Sequence, residues 1–195
     1  YFSYANTTGH GIIGKHNLSK HNLTFRETSV LLNSRLKLDG SMNLMRQVVK
    51  NKPTVGGFYM NPLVGLYRFP RGEDIAYYKE NFEVYDEGRN LNIQNWHTSY
   101  EDFEQNPYWI TNRILSKENR MHVIVSLSAN LKINDWLSLQ ARGNVDYIND
   151  KVRQQFYAST APALAGANGR YIEMDYQETQ YYGCLLYTSP SPRDS

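Results

Sequence analysis

The feature that most limits what this chain can become is a strict two-residue alternation across 119–147. Met121, Val123, Val125, Leu127, Ala129, Leu131 and Ile133 take the odd positions, and His122, Ser126, Ser128, Asn130 and Lys132 the even ones, with Ile124 alone breaking the polar side. Beyond Asn134-Asp135, Leu137, Leu139, Ala141, Gly143, Val145 and Tyr147 alternate with Ser138, Gln140, Arg142, Asn144 and Asp146. A strand turns its side chains over at every residue, so each segment has one dry and one wet side, whereas a helix would scatter the same residues around its axis. The pattern predicts strands at about 119–133 and 136–148 joined by a tight turn.

The length of the alternation carries further information. Ordinary strands run about 5 to 6 residues, and strands that cross a bilayer need about 9 to 11 tilted ones. The polar side, with Arg142 and Asp146, faces water. The apolar side could meet either a protein core or lipid, because the barrel signal of a single segment is weak. The design recurs earlier: a strand over about 21–32, a turn at Asn33-Ser34, and a second strand over about 35–49. In that second strand Leu36, Leu38, Gly40, Met42 and Leu44 oppose Arg35, Lys37, Asp39, Ser41 and Asn43.

Long intervals separate the hairpins. The first, about 50–118, is punctuated by Pro53, Gly56-Gly57, Asn61-Pro62, Pro70-Arg71-Gly72 and Asn106-Pro107, and is dense in aromatics, including Phe58, Tyr100 and Phe103. Disordered linkers are poor in aromatics, so this interval is expected to be a packed loop. A second loop is expected over about 149–170, and a last strand over about 171–183. Tight turns at one end of long strands and long loops at the other describe an outer-membrane barrel. A soluble sandwich would show shorter strands and turns every 8 to 12 residues or so.

Composition excludes several classes. No run approaches the roughly 18 apolar residues of a spanning helix. The net charge of +2 over 195 residues gives no argument for nucleic acid. His10, His16 and His21 match no zinc spacing and lack acidic or thiol companions, so neither metal nor cofactor is expected. Glu73-Asp74, Asp86-Glu87 and Glu101-Asp102 are adjacent carboxylates that point apart on an extended chain, unlike the facing pair of a glycosidase. No phosphate loop or nucleophile elbow is present, and no enzyme activity is expected. Cys184 opens the segment 184–195, whose first six residues correspond to the codons TGT CTC TTA TAC ACA TCT. That string resembles a transposon-end sequencing adapter, so 184–195 is expected to be a non-native tail and the native sequence to begin and end mid-barrel.

The loop residues carry a resemblance. Asn61-Pro62-Leu63-Val64-Gly65-Leu66-Tyr67-Arg68-Phe69-Pro70-Arg71-Gly72-Glu73-Asp74, then Tyr78-Lys79, and Gln105-Asn106-Pro107-Tyr108-Trp109-Ile110-Thr111-Asn112-Arg113 resemble loop motifs of the SusC/RagA family of TonB-linked outer-membrane transporters. The turn around Asn134-Asp135-Trp136 is similar to that family's periplasmic turns. The resemblance implies an all-β chain forming part of an antiparallel transmembrane β-barrel with long extracellular loops, in the outer membrane of a Gram-negative bacterium. It implies non-enzymatic import of glycans, oligosaccharides or peptides, a SusD-like surface lipoprotein as partner, and energy delivered by TonB through a plug that lies outside this chain. Such a piece would contact lipid along its apolar faces.

Tyrosine and tryptophan suit sugar rings and partner surfaces, so Tyr67, Phe69, Trp96 and Trp109 are the candidate ligand or lid contacts. Against this, Pro62, Pro70 and Pro107 make the motifs look like fixed bends whose aromatics serve packing. Trp136 and Tyr147 are candidates for interfacial girdles. The competing reading is a soluble secreted β-rich carbohydrate-binding or glycoside hydrolase module.

Overall fold

The computed structural model describes residues 1–54, 59–98 and 104–188. Six strands form one antiparallel sheet: β1 (Phe2–His10), β2 (Asn17–Leu31), β3 (Leu36–Lys50), β6 (Ile114–Lys132), β7 (Ser138–Phe156) and β8 (Arg170–Thr188). They lie in the order β1-β2-β3-β6-β7-β8, so the sheet is open, with β1 and β8 at its edges. Between β3 and β6 the chain makes helices α1 (Pro62–Arg68) and α2 (Ile75–Glu80), a small hairpin of β4 (Glu83–Asp86) and β5 (Leu91–Gln94), and helix α3 (Pro107–Arg113).

Register joins the alternating faces across the sheet. Val125 stands opposite Met42 on one side and Val145 on the other; Met42 faces Phe25, and Val145 faces Tyr181. Leu131 lies between Leu36 and Leu139, and Leu44 between Leu23 and Val123. Directly paired residues share a face, so the apolar positions merge into one band. A slip of a single residue would turn each set to the wrong side. From Val123 to Leu131 the band runs about 26 Å along the strand. No described element covers it: Leu127 is 61% exposed and Tyr181 79%.

Both connections at one end of the sheet are short. Residues 32–35 join β2 to β3 with Leu32, Asn33 and Ser34 all at positive φ. The turn between β6 and β7 is held by the Asn134 side chain, whose Oδ1 accepts from the backbone N–H of Trp136 (3.2 Å) and of Leu137 (2.7 Å). The opposite end carries residues 11–16, the insertion between β3 and β6, and 157–169.

Several expected boundaries are corrected. β2 starts earlier than 21, β6 begins at Ile114 instead of about 119, and β7 runs to Phe156 instead of about 148. The loop expected over 149–170 is therefore 157–169, and that expected over 50–118 ends at α3. Over 116–119 and 149–155 polar residues stand on both faces of the strand, with Val152 the one apolar exception, so the alternation that marks a strand in sequence fades while backbone pairing continues. β1 pairs with β2 along its whole length, from Phe2 opposite Phe25 to His10 opposite Asn17. Residues 184–188 continue β8 opposite 138–142. Backbone pairing of this kind accepts nearly any side chain, so it is neutral on the origin of that segment. Phe58, Tyr100, Phe103, Gly56-Gly57 and Glu101-Asp102 lie outside the described residues.

Candidate functional site

The face opposite the apolar band is hydrophilic, and its charges are sorted along the strands. Towards the tight turns stand Arg26, Lys37 and Arg142 with one acid, Asp39, which accepts from Arg26 (3.0 Å) and Thr28 (2.9 Å). Towards the loops acids hold a slight majority: Glu118, Asp146, Asp150 and Glu178 against Lys20, Arg120 and Arg170. Arg120 forms a fork with Asp150 (2.7 and 2.6 Å), and His122 Nε2 lies 2.6 Å from Asp146 Oδ1. A depression of ≈ 380 Å³ on the turn-side half is lined by Arg26, Lys37, Asp39, Ser128, Gln140 and Arg142, among others. These amide, hydroxyl and charged groups can hold a hydrated or hydroxyl-rich solute by hydrogen bonds.

The loop insertion leans over this hydrophilic side. At the loop end the same strand positions turn apolar, and Ile114, Phe156 and Ile172 pack with Ile110, Ala165, Met60 and Leu164. The even residues of β6, β7 and β8 that bear His122, Arg142 and Glu178 thus also anchor the loop.

Each helix of the insertion is started by its own sequence. Asn61 and Asn106 are N-caps, each accepting from the N–H two residues on (3.0 and 2.8 Å) and each followed by proline at the first helical position. Proline fits there because its missing N–H has no partner in the first turn. Asp74 caps α2 through Ala76 N (2.8 Å).

The motif around Gln105 and Asn106 is a buried amide clamp. Asn106 N donates to Gln94 Oε1 (2.7 Å), and Asn106 Nδ2 donates to the carbonyls of Tyr78 (3.0 Å) and Asn95 (2.8 Å). Gln105 Nε2 donates to the Tyr59 carbonyl (2.5 Å), while its Oε1 accepts from Ala161 N (2.8 Å). Gln94 N in turn donates to Ser159 Oγ (3.0 Å). The clamp binds the insertion to the loop 157–169. At its edge Arg113 forks onto Glu83 with two 2.6 Å contacts, which hold the Glu83 carboxyl below its usual range.

The four candidate contacts do not converge. Tyr67 is 86% exposed on α1. Phe69 and Trp96 belong to an aromatic cluster with Tyr78 and His97: the Phe69 ring centre lies 5.2 Å from Trp96, 5.8 Å from Tyr78 and 5.5 Å from His97. Beneath it the buried Glu104 carboxylate sits 3.1 Å from both Arg68 Nε and His97 Nε2. Trp109 is 0% exposed, with Nε1 donating to Thr160 Oγ1 (3.1 Å). Of the four, Trp109 is the one whose indole is wholly enclosed in the loop core. Sequence reasoning missed Gln94, Glu104 and Ser159, and no local signal marks them, since Gln94 and Ser159 are 65 positions apart.

Of the adjacent carboxylates, Glu73 accepts from the Tyr78 hydroxyl (2.9 Å) and Asp86 Oδ1 caps its own turn through Gly88 N (2.9 Å). Among the described residues no group of three or more His, Cys, Asp or Glu side chains is placed to hold a metal ion. Comparison with known protein families finds no match, and comparison with curated proteins finds none either.

Proposed function

We propose that this chain forms part of the wall and a surface loop of an outer-membrane, TonB-linked importer of the SusC/RagA type, which passes glycans, oligosaccharides or peptides along its polar face without covalent chemistry. The observation that carries the reading is the merging of the apolar positions of successive strands into one uncovered band. Its length of about 26 Å along the strand, or about 20 Å of height at a barrel tilt of roughly 40°, fills most of the apolar height of a barrel, on the order of 25 Å. Each Leu, Val or Phe left in water would forgo about 1.5–3 kcal/mol of burial, so a soluble protein would cover such a face. Tyr4 and Tyr147 at the loop-side border and Trp136 at the turn end suit the aromatic girdles of a membrane strand.

The short turns then lie on the periplasmic side and the insertion outside the cell, where a SusD-like lipoprotein would dock on it. TonB would act through a plug region that is not part of this sequence. Exposed Tyr67 is the best placed of the candidate aromatics to meet ligand or lid, with Phe69 and Trp96 stiffening the loop behind it. The resemblance of the two loop motifs supplies the family, and the two-sided sheet supplies the physical reason.

The test is fractionation of cells producing the intact parent protein. The reading predicts recovery in outer membranes and release only by detergent. Recovery in the aqueous periplasmic or secreted fraction would overturn it in favour of a soluble carbohydrate-binding or hydrolase module.

A further inference from the structure

On the apolar side, past the loop-side border of the band, the sheet becomes basic. Arg46 comes first, next to Met121 and His21; Lys151 follows in the next row, and beyond it Lys50, Lys117 and Arg153 stand side by side across three strands. The register sets Lys50 directly opposite Lys117 and Lys117 directly opposite Arg153. Opposed side chains on neighbouring strands start about 4.5–5.5 Å apart at Cβ, and like charges so placed destabilise the sheet. Acids answer only part of this charge: Glu173 lies 3.0 Å from Arg153, and Asp175 3.0 Å from Lys151. Lys50 and Lys117 are both exposed and have no acid among their cross-strand partners.

A row of cations that costs stability, on the side of the sheet that meets lipid, calls for an anionic occupant. We infer that Arg46, Lys50, Lys117, Lys151 and Arg153 form a collar that binds the phosphate groups of a phosphorylated glycolipid whose acyl chains lie along the apolar band. This rests on the membrane reading above and names a partner for it. Height selects the kind of lipid. From Val123 to Lys117 is about 20 Å along the strand, or about 15 Å above the band at a barrel tilt of roughly 40°. The headgroup layer of an ordinary phospholipid is about 5–8 Å thick on each side. A phosphate carried on a sugar headgroup reaches the outer row of the collar, and that of a simple phospholipid reaches only Arg46.

The test reconstitutes the intact parent protein with vesicles containing a lipopolysaccharide that has a short phosphorylated core, and with vesicles containing the same lipid after enzymatic dephosphorylation. Flotation measures association. The collar predicts preference for the phosphorylated vesicles, falling about five-fold for each cation removed in Lys50→Gln and Lys117→Gln and retained in Lys50→Arg with Lys117→Arg. In zwitterionic micelles the glutamine pair should be more stable than the parent chain, because cross-strand repulsion is relieved. Equal insertion into both vesicle types would overturn the collar while leaving the apolar band intact. Insertion into neither would overturn both. Loss of the preference in millimolar inorganic phosphate, at constant ionic strength, would mark a site for the free ion and also overturn it.

Discussion

Gly65 of α1 faces the carbonyl oxygen of Gln105 so closely that a β-carbon on it would stand 2.5 Å from that oxygen and 3.2 Å from Pro107 Cδ. The first loop motif is thus pressed against the second at a point where only hydrogen fits. Two effects oppose one another in Gly65→Ala. Helix propensity favours alanine by about 1 kcal/mol, and overpacking against a backbone that cannot yield costs about 1–3 kcal/mol. The obstacle is a carbonyl and a proline ring, so the clash wins and the variant should lose stability on the order of 1 kcal/mol. Gly72→Ala, with nothing within 4 Å of its added carbon, should stay within about 0.5 kcal/mol of the parent. Thermal unfolding followed by tryptophan fluorescence compares the two.

Asn106 uses its side chain fully: its amide donates to two carbonyls and its oxygen caps α3. Asn106→Asp would aim a carboxylate at the carbonyls of Tyr78 and Asn95 with no proton between them. An unmet buried polar group costs about 1–3 kcal/mol, and more when charged. The expected loss is at least about 2 kcal/mol, seen as earlier proteolytic cleavage within 59–113 while the sheet keeps its β signature in circular dichroism. Unchanged cleavage would show that the clamp contributes nothing.

The fork between Arg113 and Glu83 gives the loop a pH dependence of known sign. Hydrogen bonds from Arg113 are the main cause of the lowered Glu83 pKa, so this carboxyl ionises more readily folded than unfolded. Its contribution is fully present above the unfolded carboxylate value, near 4.3, and is lost as pH falls through the lower folded value. Loop stability should therefore decline on acidification below about pH 5, and Glu83→Gln should flatten that limb while lowering stability at neutral pH. Unfolding midpoints of parent and variant between pH 7 and 3 supply the measurement; parallel curves would remove the fork from the account.

The sheet was legible where one side of a strand is dry and the other wet, as in the whole alternation from Met121 to Leu131. It was illegible where the contrast vanishes. Asp150 and Gln154 on one face of β7 and Lys151 and Arg153 on the other leave no period to read, yet the backbone there pairs as regularly as below. The bends at Asn61-Pro62 and Asn106-Pro107 announced themselves, because an asparagine cap followed by proline is a local device; that each opens a short helix followed only with coordinates. Trp109 shows the limit for the site. An indole suits a sugar face and a core equally, and its place depends on Thr160 and the loop 157–169, which no nearby residue foretells.

The central claim is that the side bearing Val125, Leu127, Leu139 and Val145 meets hydrocarbon and the side bearing Ser128, Gln140, Arg142 and Asn144 meets water. Single cysteines placed at these positions of the intact parent protein, in a cysteine-free background within native outer membranes, test it with a charged water-soluble maleimide and a membrane-partitioning thiol probe. The account predicts that the first set reacts with the lipid-borne probe alone and the second set with the charged reagent. Ready reaction of Leu127→Cys and Val145→Cys with the charged reagent, while Gln140→Cys and Asn144→Cys take the lipid-borne one, would contradict it.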